Sequence, residues 1–421
     1  MELFDVLYGR VSIPGWLEPL IFTPEVQRLR DIRLINISSP TCASLSDVRR
    51  FGHTLGVVTL ALRLFPKVAS VWSSKHARSF VTAALLHDIG TPAFGHLFEY
   101  LLSSEYSWHH EVAVKGIIKG TYRPEKRYHQ IYFSNPLRLH ERLKDVRDID
   151  LDLVFQTITG QGPLGGLLAG VLDVDNIDNV FRMAAALGLK TENRSGIGII
   201  DGMILASDGI TYTDEAVRAI DEWRDLRRRI YRILVFDRHC VSGQAMLSEG
   251  LALAMRQGVL GEEHWYLTDD AVLQKLMQVS QAKDIIRRFG IGEIFDVLFM
   301  GWYHQPKGDI DYRNPAIRSN LQTRLTKSTG VPLLSYVFYD RGTFCKPLEI
   351  DTVSGRIWLG EESRSTVVTV CTPNRLEPHA IDVARRVIID ELAVMGFKQE
   401  VLQVVEKEDS GDLYSQGELP F

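Results

Sequence analysis

Cysteine is scarce and widely spaced in this sequence. The chain has four cysteines among 421 residues, Cys42, Cys240, Cys345 and Cys371, and no two of them form a CxxC pair. This spacing supports neither a zinc knuckle nor a disulfide framework. Chains without a disulfide framework are typical of reducing compartments, so we expect a cytoplasmic protein.

Long apolar runs and an excess of positive charge are also missing. No stretch approaches the ~18 uninterrupted apolar residues of a membrane span. The opening segment MELFDVLYGRVSIPGW lacks the basic-then-apolar pattern of a signal peptide. The formal net charge of −5 leaves nucleic-acid binding open but does not indicate it. We therefore expect no membrane partner.

Apolar residues instead recur at helical steps over most of the chain. From about residue 24 to 325 they are spaced three and four apart, as in VFRMAAALGL and RILVFDRHCVSGQAMLSEGLALAM. After TKSTGVP, the segments LLSYVFYD, RIWLG and STVVTVCTP are short, β-branched and aromatic, which is typical of strands. PHAIDVARRVIIDELAVMGF follows with the pattern of one amphipathic helix. The sequence predicts a mainly α protein, with a helical domain over residues 1–330, a small α+β region over 331–405 and an acidic tail over 406–421.

The segment HDIGTPAFGH places two polar side chains, His87 and Asp88, at the end of the apolar helix RSFVTAALL. Adjacent helical residues point about 100° apart, so both can act as metal ligands only near a helix end or with two ions. His53, near the start of an earlier helix, and Asp175, at the start of a later one, offer further ligands. Imidazole with carboxylate suits a divalent ion such as Mn, Fe, Mg or Zn. Four such ligands leave coordination positions open for water and a phosphate oxygen.

Six segments, in order over roughly residues 18 to 275, resemble the motifs of one enzyme family. RRFGHTLGV resembles R-F-x-H-S-L-G-V, and ALLHDIGTPAFGHLFE resembles H-D-x-G-H-x-P-F-x-H-x-F-D. WHHE resembles W-x-H-E, LDVDNIDNV resembles D-x-D-x-x-D-Y, and EPLIFTPEVQRLRDIRL and YLTDDAVL resemble two further recurrent elements. These are motifs of the HD-domain phosphohydrolases, and more narrowly of the dNTP triphosphohydrolases, which include the mammalian SAM-and-HD-domain dNTPase and bacterial dGTPases. The resemblance implies a helical HD-domain bundle and metal-dependent hydrolysis of a nucleotide.

Three residues are predicted to handle protons. His96 and Glu99 are three apart on the helix after the Pro turn, so they share a face and the carboxylate can hold the imidazole in one tautomer. The resemblance implies a His–Asp pair here, at the site of phosphate attack, with Glu99 in place of the Asp. His110 matches the His of W-x-H-E, which the family places beside the scissile phosphate. There it would donate a proton to the leaving oxygen.

Positive charge for the phosphates is predicted on the segment RDLRRRIYRILVFDRH. Arg227 and Arg238 are close to three helical turns apart, so on one helix they would share a face about 16 Å apart along the axis. The resemblance implies that these two positions contact the triphosphate and that Arg50 also contacts substrate. Arginine suits phosphate because its planar fork donates two parallel hydrogen bonds.

The sequence departs from the family pattern at three positions. Thr91 replaces the second His of H-D-x-G-H, Asn179 replaces the Tyr of D-x-D-x-x-D-Y, and Met183 replaces an Asp four residues later. Asp175, Asn179 and Met183 share one helix face, on which the family recognises the deoxyribose at the last two positions. Met cannot accept a hydrogen bond from a 3′-hydroxyl as a carboxylate can. We expect the metal end of the site to be kept and the sugar-reading end to be changed.

The predicted reaction is hydrolysis of a deoxynucleoside triphosphate to a nucleoside and triphosphate. Two alternatives stay open: an HD nucleotidase or phosphodiesterase with another nucleotide substrate, and a catalytically silent nucleotide sensor. The intact ligand set favours an enzyme, since a sensor has no need of an open metal position. We expect a nucleotide substrate and self-association into a homo-oligomer.

Overall fold

Helices dominate the structure. The computed structural model describes residues 1–36, 40–122, 138–190, 196–304, 311–341, 347–360 and 364–397. Within these ranges a helical body carries a small α+β part, which confirms the predicted fold class. The predicted acidic tail over 406–421 lies outside the described residues, as do residues 398–405.

The chain opens with a β-hairpin that precedes the two longest core helices of the N-terminal part. Asp5 lies opposite Gly9 where the hairpin turns. The second long helix begins after Ser73, whose hydroxyl accepts a hydrogen bond from the backbone N–H of His76. The elements are β1 (Glu2–Asp5), β2 (Gly9–Ser12), α1 (Glu18–Ile21), α2 (Pro24–Gln27), α3 (Ala43–Ser46), α4 (Arg50–Val71) and α5 (Ser74–Leu86).

α4 is the central helix of the larger hydrophobic core. It packs against α5 and buries apolar side chains from Leu55 to Val68. By length and composition alone it could also cross a membrane, but half of its apolar window is buried inside the protein. Core packing of this helix accounts for its apolar character.

In the described part of the chain, seven helices follow this pair up to Gly202. The helix that carries Asp175 begins after Asp173, because the Asp173 side chain accepts hydrogen bonds from the backbone and the side chain of Asn176. This cap places Asp175 in the first turn. The helices are α6 (His96–Tyr106), α7 (His110–Lys119), α8 (Leu139–Asp145), α9 (Leu151–Ile158), α10 (Gly165–Leu168), α11 (Val174–Ala186) and α12 (Ile197–Gly202).

The predicted long helix over RILVFDRHCVSGQAMLSEGLALAM is interrupted. The backbone of Asp237 is extended, and its side chain accepts a hydrogen bond from the N–H of Cys240, so a new helix begins there. The prediction of one continuous helix through this segment was wrong. The later helices are α13 (Asp214–Phe236), α14 (Arg238–Arg256), α15 (Asp269–Leu276), α16 (Ser280–Gly290), α17 (Pro315–Thr329) and α18 (Pro378–Val394).

The remaining strands form two further sheets. One sheet has the order β3-β4-β7-β8, with β4 and β7 parallel, and the other has the antiparallel order β5-β9-β6. The strands predicted over LLSYVFYD, RIWLG and STVVTVCTP are confirmed, and so is the last helix. The strands are β3 (Met203–Ala206), β4 (Gly209–Tyr212), β5 (Asp296–His304), β6 (Leu334–Arg341), β7 (Leu348–Thr352), β8 (Gly355–Leu359) and β9 (Arg364–Thr372).

Strands β3, β4 and β5 lie inside the range for which the sequence predicted helix, so that prediction was wrong at all three. Strand β5 pairs with β9, about 70 residues later, and the β5-β9-β6 sheet packs against α17 and α18 around a second core that runs from Leu298 to Phe397. The helical prediction for residues 296–304 was wrong because this pairing is distant in sequence. The division at residue 330 stays a prediction, although this second core includes residues on both sides of it.

Candidate metal centre and active site

A cavity of about 780 Å³ lies between the helical body and strand β6. Side chains from α4, α6, α7, α11, α13 and α14 form its walls together with residues of the α+β part. Ten of the twelve predicted site residues line it: Arg50, His53, His87, Asp88, His96, Glu99, His110, Asp175, Asn179 and Met183.

The four predicted metal ligands converge from three parts of the chain. His53 lies in the first turn of α4, His87 and Asp88 follow α5, and Asp175 lies in the first turn of α11. His53 Nε2 is 2.8 Å from Asp175 Oδ1, and His87 Nε2 is 3.6 Å from Asp88 Oδ2 and 3.7 Å from Asp175 Oδ1. Two ligands that each lie 2.0–2.2 Å from one ion are separated by roughly 3 Å or more when adjacent. Donor atoms of His53, His87 and Asp88 all lie within 4.8 Å of one another, which suits one divalent ion, and Asp175 lies beside both imidazoles as the fourth candidate.

His87 provides the test of whether these residues fit a metal. Its Nδ1 donates a hydrogen bond to the carbonyl of Ala84 at 2.8 Å, so Nε2 carries the lone pair. Within the described part of the chain, this buried Nε2 has no hydrogen-bond partner. A buried lone pair that faces two carboxylates is unfavourable unless a cation lies between them. The donor set of two imidazoles and two carboxylates fits such an ion.

Asp88 is held by two side chains besides its place in the ligand set. Arg50 Nη1 lies 2.8 and 2.9 Å from its two oxygens, and Thr91 Oγ1 donates to Oδ1 at 2.8 Å. Burial raises the pKa of Asp88, but the charge of Arg50 and the hydrogen bond from Thr91, among other neighbours, together outweigh it and hold the pKa well below its usual range. Thr91, which departs from the family pattern, thus keeps Asp88 oriented and ionised.

Glu99 connects the two predicted acid–base histidines. Its Oε1 accepts from His110 Nδ1 at 2.5 Å, and its Oε2 accepts from His96 Nδ1 at 3.0 Å. Burial lowers the pKa of His110, but the hydrogen bond to Glu99 and the negative charges of Glu99 and Glu111 together raise it by more, so the net shift is upward. His110 is half-buried, whereas the His96 side chain is 84% exposed. The geometry therefore fixes His110 more firmly than His96 at the cavity.

The loop between Asp88 and α6 is strained and is held from outside. Phe94 and Gly95 both have positive φ, 58° and 51°, and a Cβ on Gly95 would lie 2.7 Å from Arg50 Nη2. Asp269 accepts from the N–H of Phe94 at 2.9 Å, and the fully buried Arg28 donates to the carbonyls of Ile89 and Thr91. These contacts give Arg28 and Asp269 a role in shaping the site.

The sequence interpretation did not single out Arg28 or Asp269. Arg28 lies in EPLIFTPEVQRLRDIRL and Asp269 in YLTDDAVL. The resemblance of these two segments to recurrent family elements is the sequence signal that could have identified both residues. It also did not count Asp178 among the site residues. This carboxylate is buried and accepts from His53 Nδ1 at 2.7 Å. Its spacing of three residues from Asp175 on α11 could have identified it.

The predicted sugar-reading residues lie in the cavity wall. Asn179 and Met183 follow Asp175 along α11, and Met183 is 1% exposed. Asn179 Oδ1 is buried and, among the residues that the structure describes, has no hydrogen-bond partner. An amide oxygen thus remains as an acceptor at this end of the site.

Arg227 and Arg238 do not share a helix face, contrary to the sequence prediction. Arg227 lies on α13, stacked 4.6 Å from the ring centre of Tyr231, and Arg238 is the first residue of α14. Arg238 is exposed and lines a separate depression beside β5. The helix break at Asp237 separates the two, and neither is part of the cavity lining. Their role in phosphate binding stays a prediction without support from this geometry.

Two other arginines line the cavity: Arg313, just before α17, and Arg318, on α17. Arg313 pairs with Asp311 at 2.8 Å and stacks between Tyr100 and Tyr339. Arg318 is buried, donates to Ser248 and lies 3.5 Å from Glu249, while its Nε has no partner in the described ranges. These cations were not predicted, because both arginines are far in sequence from the metal motifs.

Comparison with known proteins gives a family match for part of the chain. The HD domain model matches residues 50–154, which include His53, His87, Asp88, Glu99 and His110 but not Asp175. The chain is 32% identical over 117 residues to the "Deoxynucleoside triphosphate triphosphohydrolase SAMHD1 homolog" of Dictyostelium discoideum. That stretch covers 25% of this chain and 22% of the relative.

Other relatives extend the match over more of the chain. The uncharacterized Bacillus subtilis protein YwfO is 24% identical over 233 residues, which cover 55% of this chain and 50% of that protein. YdhJ of the same organism is 29% identical over 125 residues, 30% of this chain and 35% of that protein. The matched stretches thus span at most half of these curated relatives. A crystal structure of a phosphohydrolase from Bacteroides thetaiotaomicron has the same fold, with a TM-score of 0.63, 18% identity, 89% of this chain covered and 100% of that chain.

Proposed function

We propose that the chain is an HD-domain phosphohydrolase, which its match to the HD domain model over residues 50–154 supports, and that it hydrolyses a deoxynucleoside triphosphate to a deoxynucleoside and triphosphate. The observation that carries the proposal is that the candidate metal donors and a candidate acid–base pair line the same cavity. The four metal donors His53, His87, Asp88 and Asp175 line it together with His110, whose Nδ1 is bonded to Glu99. The name of the Dictyostelium relative, a deoxynucleoside triphosphate triphosphohydrolase homolog, supports the choice of substrate class.

The metal would be held by His53, His87, Asp88 and Asp175. When bound, a divalent ion supplies positive charge for a phosphate oxygen and lowers the pKa of a water molecule. Arg50 lies against Asp88 and adds a cation beside this position. Arg318, with its free Nε, is the cation that we assign to the distal part of the triphosphate, in place of the pair predicted on α13 and α14.

His110 is the proposed general acid. Because Glu99 accepts from its Nδ1, the opposite nitrogen, Nε2, is the one that donates a proton to the leaving 5′-oxygen of the nucleoside. The raised pKa of His110 keeps the imidazole protonated to a higher pH than an ordinary histidine. His96, bonded to the other oxygen of Glu99 and exposed, supports this carboxylate at the mouth of the cavity.

The test is product identification with metal-free protein. Mn, Fe, Mg or Zn is added back separately, each with a panel of ribo- and deoxynucleoside triphosphates, cyclic nucleotides and nucleoside monophosphates. We expect a nucleoside and intact triphosphate in equal amounts, and no product from Asp88→Asn. Release of pyrophosphate with a nucleoside monophosphate, or of phosphate alone, would replace the proposal with another phosphohydrolase activity. Binding without any product would favour a nucleotide sensor.

A further inference from the structure

The N-terminal hairpin reaches the back of the candidate metal centre. Between β1 and β2 the turn places Tyr8 so that its hydroxyl donates to Asp178 Oδ1 at 2.9 Å. Asp178 in turn accepts from Nδ1 of His53, one of the four metal donors, at 2.7 Å. Asp178, 170 positions after Tyr8, thus links the hairpin turn to this imidazole.

Asp178 is fully buried, and each of its oxygens accepts two hydrogen bonds. Oδ1 accepts from Tyr8 and from Arg182 Nη2, and Oδ2 accepts from His53 and from Arg182 Nε, all at 2.7 to 2.9 Å. Such a carboxylate has no freedom to rotate without losing charge-assisted bonds. Its position therefore dictates which nitrogen of His53 carries a proton and where the ring points.

Asp5 completes the connection on the hairpin side. Its Oδ2 accepts from Arg182 Nη2 at 3.0 Å, and its Oδ1 accepts from the backbone N–H groups of Leu7 and Tyr8. The same side chain thus shapes the turn and holds the guanidinium that grips Asp178. The side chains of Asp5 and Arg182 are each 6% exposed, so this pair is shielded from water.

Helix α4 is shaped to admit this arrangement. A Cβ added to Gly56, one turn after His53, would lie 1.9 Å from Asp178 Oδ1 and 2.3 Å from Arg182 Nη2. Any side chain there would displace the carboxylate that holds His53. Glycine at position 56 is therefore explained by the space that Asp178 and Arg182 need behind the metal centre, and not by the geometry of the helix.

We propose that Asp5 and Tyr8 are positioning residues for the metal centre, which act through Asp178 to present His53 Nε2 to the ion. The proposal rests on the metal centre of the proposed function but not on the identity of its substrate. Groups that orient a metal-binding histidine typically change metal affinity 10–100-fold when they are altered. Asp178 has that direct role, and the hairpin residues act one step further away.

The experiment measures the Kd of the full chain for Mn²⁺, by competition with a chelating indicator and without nucleotide. We expect Tyr8→Phe and Asp5→Asn to weaken binding by about three- to tenfold, and Asp178→Asn by about 10- to 100-fold. Val6→Ser, in the same turn and 78% exposed, is the matched control and should stay within about twofold of the wild type. Thermal unfolding of the metal-free proteins reports any loss of stability separately.

A double-mutant cycle separates positioning from a purely structural role. If Tyr8 acts through Asp178, Tyr8→Phe should add little further weakening in the Asp178→Asn background. Unchanged Mn²⁺ affinity in Tyr8→Phe and Asp5→Asn, with only a lower Tm, would overturn the proposal. So would an equal effect of Val6→Ser, or a wild-type chain that binds no Mn²⁺. Tight Mn²⁺ binding without nucleotide hydrolysis would refute the proposed function and leave this inference intact.

Discussion

The metal end of the cavity and its opposite wall carry charge in different ways. At the metal end, Asp88 and Asp175 face the buried Nε2 of His87, which has no hydrogen-bond partner among the described residues, and Arg50 pairs with Asp88. On the opposite wall Arg313 is already paired with Asp311, and Arg318 lies close to Glu249. The first region has donors arranged for a cation that the chain itself does not supply. The second is largely neutralised by the protein and offers hydrogen bonds and orientation.

The largest expected effect comes from breaking the metal end. Asp88→Asn keeps the shape of the side chain but removes a charged ligand, so we expect loss of bound metal and a drop in turnover of roughly a thousandfold or more, since the metal's charge stabilisation is worth several kcal/mol. Metal content and kcat are measured on the same preparation. The exposed Asp152→Asn is the control. Full activity and full metal content in Asp88→Asn would remove the metal assignment.

Next in size is the loss of the proposed acid. His110→Gln should retain metal but lower kcat by about a hundredfold, the usual scale for general acid catalysis. His379→Gln, an exposed histidine on α18, controls for the substitution itself. Wild-type turnover in His110→Gln would mean that other groups deliver the proton.

A smaller effect, read from the pH profile, tests Glu99. Because Glu99 raises the pKa of His110, the protonated acid persists as pH rises, and activity is lost only above that raised pKa. Glu99→Gln removes the cause, so the alkaline limb of kcat should move to lower pH. The carboxylate of Glu111 is 3.7 Å from His110 Nδ1, so Glu111→Gln should shift the alkaline limb in the same direction but by less. An unmoved or upward-shifted limb in Glu99→Gln would contradict this role.

The two sets of arginines can be compared directly. Arg318→Gln should raise KM for a deoxynucleoside triphosphate by about tenfold, which corresponds to one lost hydrogen bond to a charged group. Because Arg238 lies outside the cavity, Arg238→Gln should change KM much less. Steady-state kinetics decide between them, and the reverse ranking would restore the arginine that the sequence predicted.

The smallest effect is expected at the sugar end. Met183 offers no carboxylate to a 3′-hydroxyl, and only the amide oxygen of Asn179 remains as an unpartnered acceptor in the described wall. We therefore expect kcat/KM for 2′,3′-dideoxynucleotides within about tenfold of their deoxy counterparts. Asn179→Ala should narrow the ratio further. A preference of several hundredfold for the 3′-hydroxyl would mean that another group reads the sugar.

The motif residues were predictable because their geometry is local. His87 and Asp88 end one helix, Asp175 follows its own cap at Asp173, and His96 lies one turn before Glu99. The bond between Glu99 and His110 was not foreseen, since it joins two helices. Arg227 and Arg238 failed as a pair because a helical pattern in the sequence continued through Asp237, where a competing side-chain cap stops the helix.

The amino-acid sequence by itself determined the mainly α class, the last strands and helix, and which residues are the candidate metal donors. These depend on periodicity and on short motifs, which act within a few residues. Only the tertiary structure decided that β5 joins β9, that Arg318 lines the cavity, and that a hairpin turn at Tyr8 reaches Asp178 behind His53. Such contacts link residues 61 or more positions apart, and their free energy comes from burial and hydrogen bonds that exist only once the chain has folded.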